Sequence, residues 1–461
     1  MKVEKHFIEH IPENERHGNA RSLFTIWFGA NMQILTVVTG ALAVVFGLNL
    51  FWSVAAILLG NLVGAIFMAS HSAQGPVLGI PQMIQSRAQF GTIGAIIPII
   101  IVIFMYVGFF ASNAVLGAQA AVGAFSLPMN WGILLISIGS FVIALIGYDL
   151  IHSLEKYLSI LFAVVYLFVS VIAFRLPLPV DSWSPSPVDL PVFLLSVSIF
   201  AAWQLVYAPY VADYSRYLPK ETSSTKTFFY TYAGTVLSTV WMMILGCVLA
   251  VGIPNFLDNA SLNIAQLVSA QYSILIYVII ILGILATNVF NLYGAFMSIT
   301  TILDTFIHIK GSFKNRFLLL FASLTIGTIL AIWGNGEFLH NFTIFILFLS
   351  YLMFPWTTIN LIDYYLLRHG KYDIKALFDL NGEYGKYNWI AIFAYTVSVL
   401  VEIPFINSEL YIGPIAQALN GVDIAWVVGL TVPLLLYYYP MKKSMYLKII
   451  KAESNSEHSL T

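Results

Sequence analysis

Apolar positions fall in twelve runs long enough to cross a bilayer, at 23–48, 51–71, 92–123, 131–149, 157–175, 190–212, 227–252, 272–300, 316–334, 341–366, 388–405 and 424–440. A membrane helix needs roughly 20 such residues. The pattern predicts an all-α integral membrane protein with twelve transmembrane helices in one domain at 23–440. Residues 1–22 and 441–461 are left as polar tails. The third and eighth runs are long, which predicts tilt or excess length.

Two runs are interrupted. The first reads WFGANMQILTVVTG from Trp27 to Gly40, with Gly29, Asn31 and Gln33 set among apolar residues. The sixth carries Trp203, Gln204, Tyr207 and Tyr210 around Pro209, whose missing N–H breaks a helix interior. Broken backbone at membrane depth is tolerated only where protein encloses it, and paired interruptions of this kind point to a transporter's binding site. Interruptions in spans 1 and 6 predict two five-helix repeats, 23–175 and 190–366. Five is odd, so the second copy is inverted, as in the LeuT-like architecture. The helices of 388–440 are then two additions.

Charge sets the orientation. Only 9% of residues are charged and 59% are hydrophobic, against about 25% charged in soluble domains. With the N-terminus inside, every one of the 21 Lys and Arg except Arg175 falls on the cytoplasmic side. That is the positive-inside pattern for an even number of spans with both termini cytoplasmic. The net charge of −1 argues against nucleic acid as a partner. The single cysteine, Cys247, excludes an internal disulfide. No nucleotide-binding loop, H-E-x-x-H or Cys/His metal spacing is present, so neither an enzyme nor an ATP-driven pump is expected. No cofactor is expected either.

Neutral amides recur inside the spans: Asn31 and Gln33 in the first, Asn113 in the third, Gln204 in the sixth, Asn288 and Asn291 in the eighth. Buried polar groups of this kind face a bundle interior or a cavity. Amides both donate and accept, and Phe109 and Trp203 stand beside two of them. The set suits a sugar or a flat neutral heterocycle. Trp203 and Gln204 are expected to serve one ligand together, as π-face and hydrogen-bonding edge. Arg87, Asp213, Arg216 and Asp363, near cytoplasmic ends of spans, are candidates for an inner gate of ion pairs. His71, at the end of the second span, reads as an interfacial structural histidine.

Three stretches carry a resemblance over nearly the whole chain: GPVLGIPQMIQSRAQFG at 75–91, DYSRYLP at 213–219 and PWTTINLIDYY at 355–365, after an ENERHG run at 13–18. The chain resembles nucleobase–cation symporter family 1, the cytosine, purine, allantoin and hydantoin permeases, and most closely its bacterial purine–cytosine permease-like members. The resemblance implies a secondary active importer of a heterocycle in the cell membrane, working by cation symport with alternating access. It implies substrate contacts at Gln33, Phe109, Asn113, Trp203, Gln204, Asn288 and Asn291. It also implies a cation site at Gly29, Met32 and Thr287. Ala286 stands where sodium-coupled relatives place a serine hydroxyl, so sodium and proton coupling both stay open, as do the substrate among nucleobases and the oligomeric state. The alternatives are a same-fold transporter of an amino acid or vitamin and a receptor without transport.

Overall fold

In hydrocarbon a segment must satisfy its own backbone, and the apolar runs fold accordingly as helices. The computed structural model describes residues 8–146, 148–307 and 312–458, with side chains for all of these except 148–156 and 448–458. In chain order the helices are α1 Arg21–Ala30, α2 Ile34–Val45, α3 Leu50–Ser72, α4 Gly75–Leu78, α5 Gln82–Phe90, α6 Ile96–Phe125, α7 Met129–Ile146, α8 Tyr148–Ala173, α9 Leu190–Leu205, α10 Ala208–Ser215, α11 Ser224–Gly252, α12 Ala260–Ala265, α13 Ala270–Asp304, α14 Phe313–Gly334, α15 Phe338–Leu361, α16 Trp389–Glu402, α17 Pro414–Ala418 and α18 Ala425–His458. Among the described residues the only sheet-like pairing is an isolated bridge, Asn407 to Ile412. Residues 1–7 and 459–461 of the expected tails, and Lys310, lie outside the described residues.

Among the described residues seven helical segments are long and apolar enough to cross a membrane, or eight when the bent pair α1–α2 counts as one span. Two shorter apolar helices, Tyr157–Ala173 and Trp389–Phe405, accompany them. The longest segment, Phe313–Leu367, has 55 residues, about 80 Å of helix at 1.5 Å per residue. That far exceeds a hydrocarbon core of about 30 Å, and the 3-10 turn Asn335–Glu337 divides it into α14 and α15. The last helix differs from expectation. It continues to His458, through most of the stretch expected as a tail. Lys, Met, Leu, Ala and Glu dominate there, all good helix formers.

Both expected interruptions are real breaks. α1 and α2 meet at 64°, and Gln33 between them is fully extended (φ −136°, ψ 159°). α9 ends at Leu205 and α10 begins at Ala208. Pro209 lies in the first turn of α10, where its absent N–H costs little. The two breaks are tied by one buried amide. Asn31 Oδ1 accepts from Trp203 Nε1 and from the Tyr207 hydroxyl, each at 3.0 Å. Its Nδ2 donates to Trp27 O at 2.9 Å and Thr235 Oγ1 at 3.2 Å.

Around this crossing the long helices pair closely, α6 along α13, α3 along α9 and α2 along α11. Glycines make two of these contacts possible: a Cβ at Gly64 would run into the Ala201 backbone, and one at Gly246 into Val37 O. Small residues play this role where lipid supplies no hydrophobic drive.

The three stretches that carry the family resemblance converge at one end of the bundle. α5 is polar in sequence yet buried along its whole length, and hydrogen bonds to its neighbours meet part of that polarity. Gln82 N donates to Asp213 Oδ1 at 2.8 Å, Trp356 Nε1 to Ser86 Oγ at 3.0 Å and Gln89 Nε2 to Asp363 Oδ2 at 3.0 Å. Gln74 Nε2, just before α4, reaches Asn360 Oδ1 at 3.0 Å. His71 stacks on Trp356 with ring centroids 4.9 Å apart and bonds Thr357 and Gln82, a structural placement.

Candidate functional site

A cavity opens where the two breaks meet α6 and α13. The α1–α2 break contributes Gln33, and α6 contributes Met105, Phe109 and Asn113. Trp203, Tyr207 and Tyr210 come from the α9–α10 break, and Thr287 and Asn291 from α13. Its walls are aromatic. Phe109 and Trp203 meet edge to face at 6.0 Å, and Trp203 and Tyr207 at 6.2 Å. Tyr210 lies 5.3 Å from Tyr106.

Set into these walls are polar atoms without partners. Gln33 Oε1 and both Asn113 amide atoms are buried and make no hydrogen bond. A buried polar atom left unsatisfied costs about 1–3 kcal/mol, so the arrangement is held by the surrounding packing at a standing cost. A flat ligand presenting one acceptor and two donors would relieve it. The cavity itself holds only about 20 Å³, room for roughly one water. Anything larger than a water enters only when the walls move apart.

Five of the seven expected substrate residues are brought together here: Gln33, Phe109, Asn113, Trp203 and Asn291. Two are not. Gln204 faces away, donating from Nε2 to Asn61 Oδ1 at 2.8 Å and accepting from Thr235 Oγ1 at 2.7 Å. The reason is geometric: α9 is intact through Leu205, and neighbouring helical residues point about 100° apart. Asn288 is turned toward α6, donating to Phe110 O at 3.2 Å, while its Oδ1 accepts from Asn291 at 3.3 Å. It supports Asn291 from behind. Met105, Val206, Tyr207 and Tyr210 also line the cavity and were not among the expected substrate residues. The tyrosines had a signal, since 203, 207 and 210 follow helical spacing.

A second, smaller cavity of about 10 Å³ lies behind the first, between α1, α8 and α13. Gly29, Met32 and Thr287, expected to hold a cation, all line it, together with Ser159, Gly283 and Ala286. Thr287 Oγ1 donates to Gly283 O at 3.0 Å. Ser159 was missed; it packs so closely on Gly29 that a Cβ there would collide with it. Thr287 lines both cavities. Among the described residues no group of three or more His, Cys, Asp or Glu could hold a metal ion.

The four expected gate residues each find their own partners. Arg87 approaches Asp304 at 3.8 Å and donates to Thr301 O and Leu377 O. Asp363 pairs with Arg368 at 3.2 Å and accepts from the Tyr372 and Tyr437 hydroxyls at 2.7 Å each. Burial and the Asp363 charge hold the Tyr372 phenol well above its ordinary value, so it remains a donor. Asp213 caps α5 through Gln82 N. Arg216 donates to Asp213 O and Glu9 O and lies over the Tyr217 ring. Arg87 and Asp363 thus find their charged partners outside the expected set.

The sequence pattern of the family described as "Permease for cytosine/purines, uracil, thiamine, allantoin" matches residues 10–429. A putative purine-cytosine permease of Bacillus subtilis, YxlA, is 53% identical over 96% of each chain. The purine-cytosine permease fcyB of Emericella nidulans is 24% identical over 93% of this chain and 86% of its own. Among solved structures, the closed, bromovinylhydantoin-bound form of Mhp1, a nucleobase-cation-symport-1 family transporter, superposes with a TM-score of 0.77 at 18% identity over 95% of each chain. A manganese transporter of Eremococcus coleocola shares the fold at a TM-score of 0.56 and 14% identity, over 94% of this chain and 98% of its own; a fold alone does not fix the cargo. The family match over most of the chain and the Bacillus relative together make this an integral membrane transporter, not an enzyme, and a member of the cytosine/purine, uracil, thiamine and allantoin permease family, nucleobase–cation symport 1.

Proposed function

We propose that the protein imports a nucleobase or related heterocycle by cation symport with alternating access. The observation that carries this reading is the unpaired amide set of Gln33 and Asn113 within the aromatic walls of Phe109 and Trp203. Base–aromatic stacking is worth about 1–3 kcal/mol, and the orphaned amide atoms gain partners at the heterocycle edge. Among the described residues no side chain lining the cavity is charged, which disfavours an amino acid, whose carboxylate and ammonium each need an opposite charge or dipole. A vitamin B6 transporter of Saccharomyces cerevisiae, 29% identical over 54% of this chain, supports a second reading in which the heterocycle is a pyridine-type vitamin. A melting-temperature screen of cytosine, adenine, guanine, hypoxanthine, uracil, allantoin, hydantoins and pyridoxine tests both. A ligand at a hundred times its Kd stabilises by about 2.7 kcal/mol, and the same ligand should be taken up by proteoliposomes under an imposed cation gradient. A shift with amino acids alone would overturn the proposal.

The topology that goes with this function has twelve spans, two inverted five-helix repeats and two added helices. Dividing Phe313–Leu367 at its turn, and adding the two shorter apolar helices and α18 to the eight, supports the number. The breaks in the first and sixth spans support the repeat. With all basic residues but Arg175 on one side, both termini lie in the cytoplasm and the protein sits in the plasma membrane. A cysteine introduced at 181–189 should label from outside intact cells, and one at 370–386 should label only after permeabilisation. The reverse result would invert the orientation.

A further inference from the structure

We propose that the groove between the turn after α15 and the middle of α18, at residues 439–446, is a binding site for the headgroup of an anionic phospholipid. The groove holds about 560 Å³ and is far larger than either internal cavity. One wall is the turn that follows α15, with Leu366, Leu367 and His369; the other is α18, with Tyr439, Lys442 and Lys443. Tyr439, Lys442, Lys443 and Tyr446 stand at helical spacing, so they form one stripe. Among the described residues no carboxylate lines the groove. Lys442 is held across the Tyr438 ring, with Nζ 3.3 Å from the Tyr438 hydroxyl. Neither lysine is paired with a carboxylate among the described residues, whereas the neighbouring Arg368 is engaged by Asp363 and Glu383.

The level of the groove identifies the ligand. About 20 residues of α18 from Ala425 cross the hydrocarbon, which sets Lys442 and Lys443 at the boundary with water. Above them on the same stripe Leu435 is exposed, and Leu366 is exposed on the other wall. Apolar walls therefore lead up to two ammonium groups that have no carboxylate partner among the described residues, flanked by tyrosines. Chains would lie on the leucines and the phosphate between the lysines. Basic pockets between membrane helices at this level bind acidic lipid headgroups. A free phosphate has no use for the apolar walls, and a neutral lipid none for the lysines.

The test is the melting temperature and native mass spectrum of the purified full chain, titrated with phosphatidylglycerol, with phosphatidylcholine of the same chains, and with inorganic phosphate. Phosphatidylglycerol should stabilise the protein and remain bound; the other two should not. The Lys442→Gln/Lys443→Gln variant should lose about tenfold to thirtyfold in affinity for phosphatidylglycerol, from roughly a fivefold contribution per lysine. Lys443→Gln alone should lose about fivefold, and Lys371→Gln/Lys375→Gln, outside the groove, nothing. Equal losses in both double variants would mean diffuse attraction and no site. An equal response to phosphatidylcholine would mean an apolar groove only, and a full response to phosphate a free-anion site. Each of these overturns the proposal.

Discussion

Trp203→Ala should weaken substrate binding about tenfold to a hundredfold, while Gln204→Leu should leave affinity unchanged and lower stability. The two residues are adjacent and both fully buried, yet they do different work. Trp203 lines the cavity and stacks edge to face on Phe109. Removing its ring takes away a π-face worth about 1–3 kcal/mol. Trp203→Phe keeps a ring but loses the bond from Nε1 to Asn31, so it should recover only part. Gln204 joins α9 to α3 through Asn61 and to α11 through Thr235. Leucine there leaves the Asn61 carbonyl and the Thr235 hydroxyl without their partner, at a cost on the order of 2–4 kcal/mol. Affinity and melting temperature measured on the same purified variants separate the two. A tenfold loss of affinity for Gln204→Leu at an unchanged melting temperature would put its amide in the substrate site after all.

The contrast shows where the sequence is informative about this site. A polar residue inside an apolar run announces that it needs a partner, and every such amide singled out is buried. Which partner it finds depends on its azimuth about the helix, and azimuth is set by packing that no local pattern records. Gln204 and Asn288 were therefore legible as important but not as supporting residues. The breaks were legible because Pro209 and the Gly29–Asn31–Gln33 cluster act on the backbone itself. That Asn31 ties the two breaks together was not, since the residues it joins are some 172 positions apart in the chain. Ser159 gave no signal at all: one serine in an apolar span commonly bonds back to its own helix. The 75–91 and 355–365 stretches were recognisable as motifs, but they build the buried polar cap of the bundle and stand apart from the substrate cavity. They are tied together by hydrogen bonds between α5 and α15, from Trp356 to Ser86 and from Asn360 to Gln89.

Thr287→Ala should abolish the dependence of substrate affinity on the coupling cation. Thr287 lines the substrate cavity on one side and the small cavity on the other, so one side chain can sense both occupants. Coupling between sites is a free energy, typically 1–3 kcal/mol or about 5–150-fold in affinity, and it is reciprocal. The cation should therefore tighten substrate binding by such a factor in the wild type and hardly at all in the variant. In transporters with broken helices, unwound backbone carbonyls coordinate the coupling ion. Here Ala286 lacks a hydroxyl, but Ser159 of α8 brings a hydroxyl to the lining of the same cavity, against Gly29. Ser159→Ala should then lose the sodium response much as Thr287→Ala does, and adding Ala286→Ser to Ser159→Ala should restore part of it. If the wild type responds to pH and not to sodium, the coupling ion is the proton. If both single variants retain the full wild-type response, the small cavity has no part in coupling, and the ion binds elsewhere in the bundle.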